Sequence, residues 1–230
     1  MLGTRGHPAH DPAFLAGHFT IQDEASQLFV SFLDPKTAER NLDVCAAPGS
    51  HTNDSAEEIG DAGEVVALDR NVRRLRLVGR DARRLGLANI TTSEHDAMRT
   101  LRGFSARGAF DRILVDAPCS GLGTLRRNPD ARWRVRPGDP QRLAETQRAI
   151  LRNAAATLRP GGVLVYSTCT LRPEENERVI ESFLSETQDF RLVPGDAGPE
   201  PTRALVGTDG FLRCFPHLPD SDGFFAARLE

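Results

Sequence analysis

The sequence predicts an α/β domain built on a doubly wound, mostly parallel sheet of seven strands. Short apolar runs, typical of buried strands, alternate with longer segments whose apolar residues recur at helical spacing. Gly, Pro and Asp residues separate the two kinds of segment, and regular alternation of this kind indicates a parallel sheet covered by helices. A chain of 230 residues is long enough for one such domain and short for two.

The start of the chain differs in composition from the rest. Residues 1–16 are rich in Gly, Pro and His and show no periodicity, so we predict a flexible arm over residues 1–20 and a folded domain over residues 21–230. The domain opens with an amphipathic helix over residues 22–33. No apolar run approaches a membrane span, and the start lacks the apolar core of a signal peptide, which favours a cytoplasmic protein without a membrane partner.

Strands are predicted where apolar runs stop at turn residues. In chain order they are 42–45, 64–68, 90–93, 113–115, 163–167, 190–193 and 224–229, the last two at an antiparallel edge. Four further helices are predicted between them: one after Thr52, an arginine-rich one that runs to Gly86, one over about 140–158, and one that begins at Pro173 with acidic residues in its first turns. These elements complete the doubly wound pattern.

The charge distribution indicates where the chain binds RNA. The formal net charge is −3, which argues against global attraction to nucleic acid, but 28 of the 29 basic residues are arginine and many are clustered. One cluster lies on the helix that ends at Gly86 and is typical of a solvated face. The second, Arg126, Arg127, Arg132 and neighbours with Trp133 among them, is predicted to bind RNA through its phosphates and a stacked base.

Two cysteines follow separate apolar runs in the same way. Asp116-Ala-Pro-Cys119 follows residues 113–115, and Cys169 follows residues 163–166. If these strands are neighbours, one carboxylate and two thiols converge at the sheet edge where open α/β folds bind ligands. Cys45 and Cys214 are more typical of structural cysteines, and no spacing resembles a zinc site, so a reducing compartment and no metal are expected.

An aspartate and two thiols match the needs of methylation at cytosine C5. This carbon is a poor nucleophile until a thiolate adds at C6 and activates the ring. An acid hydrogen-bonded at N3 relieves the charge that builds up, and a base must later remove the C5 proton. A cysteine at a strand end, taken alone, is often only a small buried hydrophobe. The combination of Asp116, Cys119 and Cys169 favours the chemical interpretation.

The first strand-to-helix turn predicts the cofactor. Residues 45–51, Cys-Ala-Ala-Pro-Gly-Ser-His, follow the first strand, and Asp69 ends the second strand where an acid can bind both hydroxyls of a ribose. Only Gly49 of a dinucleotide fingerprint is present, so a pyrophosphate and NAD are disfavoured. S-adenosylmethionine fits better, with Asp96 after the third strand placed to meet the adenine amino group. Taken singly, Asp69 and Asp96 are equally typical of turn residues.

The motifs together closely resemble the Sun/Fmu-type RNA (cytosine-C5) methyltransferases, particularly the bacterial enzyme that acts on 16S ribosomal RNA. The resemblance runs from about residue 22 to residue 229. It is carried by Asp-Ala-Pro-Cys-Ser-Gly at 116–121, Arg-Arg-Asn-Pro-Asp at 126–130, Tyr-Ser-Thr-Cys at 166–169, Pro-Glu-Glu-Asn at 173–176 and Asp-Gly-Phe-Phe at 222–225. The family implies a Rossmann-like fold of S-adenosylmethionine-dependent methyltransferases and a cytosine-C5 methyltransferase activity on RNA.

The resemblance also implies a role for each matching residue. Cys169 is then the nucleophile, Asp116 holds N3, and Cys119 helps to release the product. The implied S-adenosylmethionine site comprises Cys45, Ala46, Ala47, Pro48, Gly49, Ser50, His51, Asp69, Asp96 and Asp116. A paired cytosine hides C6, so the RNA must present the base unstacked.

Two departures from the family leave alternatives open. The family usually has Gly-Gly-Lys after the proline, whereas this chain has Gly49-Ser50-His51, which predicts weaker donor binding than in a Ser50→Gly, His51→Lys variant. His51 itself is expected at the surface of the cofactor loop.

Only about 20 residues precede the first family helix, so a separate RNA-binding module or partner is expected. An RNA-binding or ribosome-assembly protein of the same fold, with weakened donor affinity, is the alternative function; an amino-group methyltransferase would carry an Asn/Asp-Pro-Pro-Tyr-like tetrad instead.

Overall fold

The computed structural model describes residues 8–106, 109–217 and 221–230, and within them it contains one sheet of seven strands in the order β3-β2-β1-β4-β5-β7-β6. The strands are β1 Arg40–Val44, β2 Glu64–Asp69, β3 Ile90–Glu94, β4 Phe110–Asp116, β5 Leu158–Thr168, β6 Phe211–Cys214 and β7 Phe224–Leu229. Strands β1 to β5 are mutually parallel, and β7 runs antiparallel to both of its neighbours. The predicted fold class is confirmed.

One predicted strand is wrong. Residues 190–193 form no strand, and Leu192 makes only an isolated bridge to Leu229. The sixth strand is instead Phe211–Cys214, which pairs with β7. Phe190 and Leu192 are partly buried and pack against the core from a loop. Alternating apolar residues in the sequence do not distinguish such a loop from a strand. Cys214 was expected to be a packing residue, and it is buried in this strand.

The helices are α1 Pro12–Leu15, α2 Glu24–Leu33, α3 Ser50–Ile59, α4 Val72–Leu85, α5 Ala131–Arg134, α6 Asp139–Ala155 and α7 Glu177–Glu186. Helix α2 begins after Asp23, whose carboxylate caps the Ala25 amide. The helix predicted over about 140–158 ends at Ala155, because β5 already begins at Leu158. The helix predicted from Pro173 is interrupted: a 3₁₀ turn, Pro173–Glu175, precedes α7.

The predicted arm contains some secondary structure where the structure describes it. Pro8–His10 is a 3₁₀ turn and Pro12–Leu15 a helical turn capped by the side chain of Asp11. Arg84 of α4 donates to the carbonyls of Phe14 and Phe19, so this segment contacts the domain. The domain boundary at residue 20 stays a prediction, and residues 1–7 lie outside the described residues.

The core has two layers, one on each face of the sheet. Successive strand residues point to opposite faces, so Ile113 and Val115 face α6 and α7 while Leu114 faces α2. Helix α2 packs through Phe29, Phe32 and other apolar residues. Sheet arginines bind its C-terminal carbonyls: Arg112 donates to Leu33 and Arg228 to Phe32 and Leu33. The helix that precedes the sheet is thereby fixed against it.

The strand order reverses between β1 and β4. Chain connections run outward from β1 through β2 to β3, and outward from β4 through β5. In doubly wound sheets the crevice at such a switch point, beyond the carboxyl ends of the strands, binds ligands. The loops after β1, β4 and β5 therefore define where the site must lie.

Candidate active site

A cavity of about 240 Å³ lies at this switch point. It collects residues from the ends of all five parallel strands, since Cys45 follows β1, Asp69 ends β2, Asp96 follows β3, Asp116 ends β4 and Cys169 follows β5. Cys119 lines the same cavity. The carboxylate and the two thiols that the sequence placed on separate strand ends thus share one cavity with the residues predicted for the cofactor.

The two thiols are in direct contact. The Sγ atoms of Cys119 and Cys169 are 3.2 Å apart, both cysteines are free, and both are partly accessible. The hydrogen bond to Cys169 raises the pKa of Cys119 well above its usual value, and burial adds to this effect. A raised pKa favours the protonated form of Cys119.

Asp116 stands beside the thiols at the end of β4. It pairs with Ser167, the residue opposite it on β5, whose Oγ donates to Asp116 Oδ1 at 3.3 Å. The cavity leaves 34% of the Asp116 side chain accessible. Desolvation in this recess raises the pKa of Asp116 above its usual value, although His51 and the Ser167 hydrogen bond oppose the rise. A carboxyl group with a raised pKa can present a proton to a ring nitrogen.

His51 is not at the surface of the cofactor loop, and that expectation is wrong. Only 8% of the residue is exposed. Helix α3 begins one residue earlier and turns the imidazole inward, where its Nε2 lies 3.7 Å from Asp116 Oδ2 and 3.3 Å from Ser26 Oγ. The ring packs against Phe29 of α2. His51 therefore acts on the Asp116 carboxyl and does not line the cavity.

Asp69 is held by the backbone of two loops. Its Oδ2 accepts the amide of Ala47 at 3.2 Å and its Oδ1 accepts the amide of Asn71 at 2.7 Å. Asp69 lines the cavity, and each of its oxygens can accept one more hydrogen bond, as binding to two ribose hydroxyls requires. Asp96 accepts the Met98 amide at 3.0 Å and also lines the cavity. The two acids that the sequence linked to a nucleoside therefore line the same cavity.

The loop of residues 45–51 is only partly in the cavity. Cys45 and Ala47 line it, whereas Ala46, Pro48, Gly49, Ser50 and His51 are not among its lining residues. Cys45 has φ of 72°, a left-handed conformation that non-glycine residues rarely adopt, and this bends the chain sharply out of β1. Gly49 has φ of 119° and lies against Val78, so these two positions shape the loop.

Sequence reasoning missed several cavity residues. Helix α6 contributes Thr146 and Ile150, and the loop after β3 contributes Ala97 and Met98, which add an apolar surface suited to a flat ring. Arg74 lines the cavity and donates to the Ala47 carbonyl at 2.6 Å, bracing the cofactor loop. Helix α6 shows only an amphipathic pattern in the sequence, so no local signal identifies these residues.

The predicted RNA-binding residues differ in their surroundings. Trp133 is 81% exposed, with the Arg132 guanidinium 5.8 Å from its ring centroid. Arg127, by contrast, forms hydrogen bonds to Asp222, which is fully buried, and pairs with Asp23 at 3.4 Å. Arg126 lies at 3.9 Å from the same Asp222 carboxylate. Arg126 and Arg127 hold the loop after Cys119 to the domain, while Arg132 and Trp133 face outward.

The described part of the chain has neither a membrane-spanning helix nor a metal-binding cluster. None of its helices is long and apolar enough to span a membrane. No group of three or more His, Cys, Asp or Glu side chains in those residues is arranged to hold a metal ion.

Comparison with known proteins identifies the family. The model for the family described as 16S rRNA methyltransferase RsmB/F matches residues 30–230. This chain belongs to that family. The resemblance to the catalytic domain of Sun/Fmu-type methyltransferases is thereby confirmed.

Relatives of the RsmB/F chain include bacterial and archaeal proteins. It is 42% identical to the probable ribosomal RNA small subunit methyltransferase B of Synechocystis sp., an alignment that covers 99% of this chain and 51% of that protein. The corresponding protein of Bacillus subtilis is 44% identical, with 94% and 48% covered. The crystal structure of NSun6 from Pyrococcus horikoshii with SFG superposes with a TM-score of 0.82 at 31% identity, covering 98% of this chain and 56% of that one. The chain therefore spans about half the length of these relatives.

Proposed function

We propose that this chain transfers a methyl group from S-adenosylmethionine to C5 of a cytosine in RNA, with 16S ribosomal RNA as the substrate, through a covalent adduct between Cys169 and C6. One observation carries the proposal: two free thiols lie 3.2 Å apart in one cavity with the Asp116 carboxyl. Methylation of an amino group needs neither thiol. The RsmB/F relatives support an RNA substrate.

Cys169 is the proposed nucleophile because the family resemblance gives it this role and because its side chain lines the cavity beside Cys119 and Asp116. In this proposal Cys119 is the protonated thiol at the start of the reaction, in keeping with its raised pKa. A thiolate at Cys169 adds to C6 of the cytosine, which makes C5 electron-rich. Asp116 stabilises the negative charge that this addition places on the ring by donating a proton or a hydrogen bond at N3, consistent with the raised pKa of its carboxyl.

Cys119 is the proposed base for the C5 proton in the second step. Before the adduct forms, the hydrogen bond to the Cys169 sulfur and burial hold the pKa of Cys119 above its usual value, so Cys119 keeps its proton. Once that sulfur is bound to carbon, the hydrogen bond and the charge that raise the Cys119 pKa are gone. Cys119 can then ionise, remove the C5 proton and allow the C6–sulfur bond to break, which returns Cys169 as the leaving group.

The cavity residues fit S-adenosylmethionine. Asp69 would bind the ribose, Asp96 the adenine amino group, and Ala97, Ala117 and Ile150 the faces of the adenine ring. The bound donor supplies the methyl group as an electrophile at sulfur. NSun6, a structural neighbour at 31% identity, was solved with SFG, an analogue of S-adenosylmethionine. Weaker donor binding caused by Ser50 and His51 stays a prediction.

RNA recognition is proposed at the outward-facing part of the loop after Cys119. Trp133 is exposed and stands among arginines, which suits stacking on a base and contact with phosphates. The target cytosine must be unstacked before C6 can meet Cys169. Because the chain spans about half of its curated relatives, a separate RNA-binding module or partner is part of this proposal.

The decisive experiment traps the adduct. Unmodified 16S ribosomal RNA is incubated with the wild-type protein, Cys119→Ala and Cys169→Ala in the presence of donor carrying a labelled methyl group. We expect label transfer by the wild type, an RNA complex that survives denaturing electrophoresis with Cys119→Ala, and neither with Cys169→Ala. Bisulfite sequencing of the wild-type product identifies the nucleotide.

Other outcomes would redirect the proposal. Label transfer by Cys169→Ala at the wild-type rate excludes the covalent mechanism. RNA binding without label transfer by the wild type, together with no measurable donor binding in calorimetry, supports the RNA-binding or assembly protein instead.

A further inference from the structure

Two adjacent residues, Glu175 and Asn176, lie beneath both cysteine loops. We propose that they are positioning residues for the two thiols: Glu175 fixes the loop that carries Cys119, and Asn176 fixes the loop that carries Cys169. The proposal rests on the proposed function for the roles of the thiols, and it adds that one dipeptide sets their separation.

Glu175 binds the Cys119 loop on both sides of the cysteine. Its side chain is fully buried, and its Oε2 accepts the amide of Ser120 at 2.8 Å. The same oxygen accepts the Gln147 amide group at 3.1 Å, and that group also donates to the Pro118 carbonyl at 3.0 Å. The residues before and after Cys119 are therefore tied to one carboxylate, directly or through Gln147.

Asn176 does the same for the Cys169 loop. It is 1% exposed. Its Oδ1 accepts the Thr168 hydroxyl at 2.6 Å, and its Nδ2 donates to the Thr170 carbonyl at 2.9 Å. Both neighbours of Cys169 are thus bound to one side-chain amide, and the cysteine is held between them.

Further contacts join the two loops to each other and the dipeptide to the sheet. The Ser120 hydroxyl donates to Thr170 Oγ1 at 3.0 Å, and the Gly123 amide donates to the Cys169 carbonyl at 3.0 Å. Tyr166, fully buried on β5, donates to the Glu175 carbonyl at 2.6 Å and anchors the dipeptide to the sheet. A buried polar group that lacks a partner destabilises the fold, whereas a fully paired network makes the surrounding loops rigid. The network around Glu175 and Asn176 therefore fixes the positions of the two loops.

The two residues act on different steps of the proposed reaction. Asn176 positions the nucleophile, so its loss slows formation of the adduct. Glu175 positions the base, so its loss slows release and lets the adduct accumulate. A purely structural role of the dipeptide would instead reduce the active fraction in both variants and leave both rates unchanged.

The test compares Glu175→Ala and Asn176→Ala in single-turnover reactions with unmodified 16S ribosomal RNA and S-adenosylmethionine. We expect Glu175→Ala to release product about tenfold more slowly and to raise the level of covalent complex above wild type. We expect Asn176→Ala to form the complex about tenfold more slowly and to keep its level below wild type. Glu175→Gln keeps an acceptor oxygen for Ser120 and should restore most of the release rate.

Glu174→Gln is the matched control. Glu174 lies in the same turn, and its carboxylate pairs with Arg172, three residues beyond Cys169, and not with the residues that flank either cysteine. We expect this variant to behave as wild type in both steps. Equal changes of the complex level in Glu175→Ala and Asn176→Ala, or wild-type rates with reduced amplitude, overturn the positioning roles.

A second measurement separates this inference from the proposed function. A diazene oxidant such as diamide converts the two thiols to a disulfide and is itself reduced to the hydrazine, with no RNA or donor present. The wild type and Glu174→Gln should form the Cys119–Cys169 disulfide fastest, and both alanine variants about tenfold more slowly. If wild-type protein shows no methyl transfer but the variants still slow disulfide formation, the function fails and the positioning stands. Equal oxidation rates in all four proteins overturn the positioning.

Discussion

The two halves of the cavity are built in different ways. The half proposed to bind the methyl donor, here called the donor half, is formed by the loops after β1, β2 and β3. It is organised by the backbone, since Asp69 accepts the amide of Asn71 in its own loop and the amide of Ala47 in the adjacent loop. The thiol half, formed by the loops after β4 and β5, is organised by side chains that arrive from elsewhere, such as Gln147 of α6 and Glu175.

This difference separates the tasks of the two halves. A backbone-built half depends on strand ends and small residues, so a change at one acidic side chain there removes binding contacts and little else. A half built from remote side chains holds two sulfur atoms at contact distance, and its reactivity depends on the packing of α6 and the turn before α7. Binding and chemistry should therefore be separable by mutation.

The largest expected effect separates them directly. We predict that Cys169→Ser lowers methyl transfer on the order of ten-thousand-fold, because a hydroxyl is a far weaker nucleophile, while donor affinity stays unchanged. Asp69→Asn should do the opposite: it raises the donor dissociation constant about tenfold or more and leaves a Cys119→Ala background able to form the RNA adduct without donor.

Titration calorimetry with S-adenosylmethionine and adduct trapping measure the two quantities on the same preparations. If Asp69→Asn also abolished the adduct, the halves would not be independent.

The next largest effect concerns a charge buried under the donor half. Asp43 lies on β1, is 3% exposed, and accepts the Thr52 hydroxyl. Burial raises its pKa to about 6. Since the folded-state pKa lies above that of the unfolded chain, the folded protein binds the extra proton between about pH 4 and pH 6, and stability falls as the pH rises through this window, by about 3 kcal/mol.

Asp43→Asn should remove this fall, because the amide keeps an acceptor for Thr52 and carries no charge. The measurement is urea unfolding of both proteins across the same pH range, read as the difference between them. Asp209→Asn is the control of opposite sign, since the Arg213 hydrogen bond lowers the pKa of Asp209. Parallel stability curves for wild type and Asp43→Asn would contradict the prediction.

A smaller effect tests how the thiol half is held. Arg127 and Arg132 are both in the predicted RNA-binding cluster, but only Arg127 binds the buried Asp222. We predict that Arg127→Gln lowers the free energy of unfolding by about 2 kcal/mol, because it leaves that carboxylate with one cation fewer. Arg132→Gln should leave stability within about 0.5 kcal/mol of wild type. It should also lower the slope of log affinity against log salt concentration by about one, which corresponds to the loss of one phosphate contact.

Chemical denaturation and RNA titration at several salt concentrations distinguish the two arginines. A stability loss for Arg132→Gln, or none for Arg127→Gln, would contradict this division of roles.

The difference between the two halves also explains which features could be predicted from the sequence. Strand ends follow apolar runs, so Asp69, Asp96, Asp116 and both thiols were predicted at one sheet edge from local pattern and family resemblance. Features that depend on tertiary contacts could not be predicted from local sequence. The side chain of His51 turns inward because α3 starts at Ser50, and in the sequence Gln147 resembles any polar residue of an amphipathic helix although it is buried. The strand predicted over 190–193 failed for a related reason, because its apolar residues pack from a loop.

The smallest effect tests the backbone of the donor half. Gly49 has φ of 119°, and a Cβ there would lie 3.0 Å from Val78 Cα of α4, whereas Gly60 at the other end of α3 has φ of 68° and open space around it. Both sites disfavour alanine through φ, but only Gly49 adds a backbone clash. We predict that Gly60→Ala costs about 1 kcal/mol of stability and Gly49→Ala about 2 kcal/mol. Only Gly49→Ala should also weaken donor binding, since it shifts the loop that carries Cys45 and Ala47; equal losses in both variants would mean that this loop tolerates displacement.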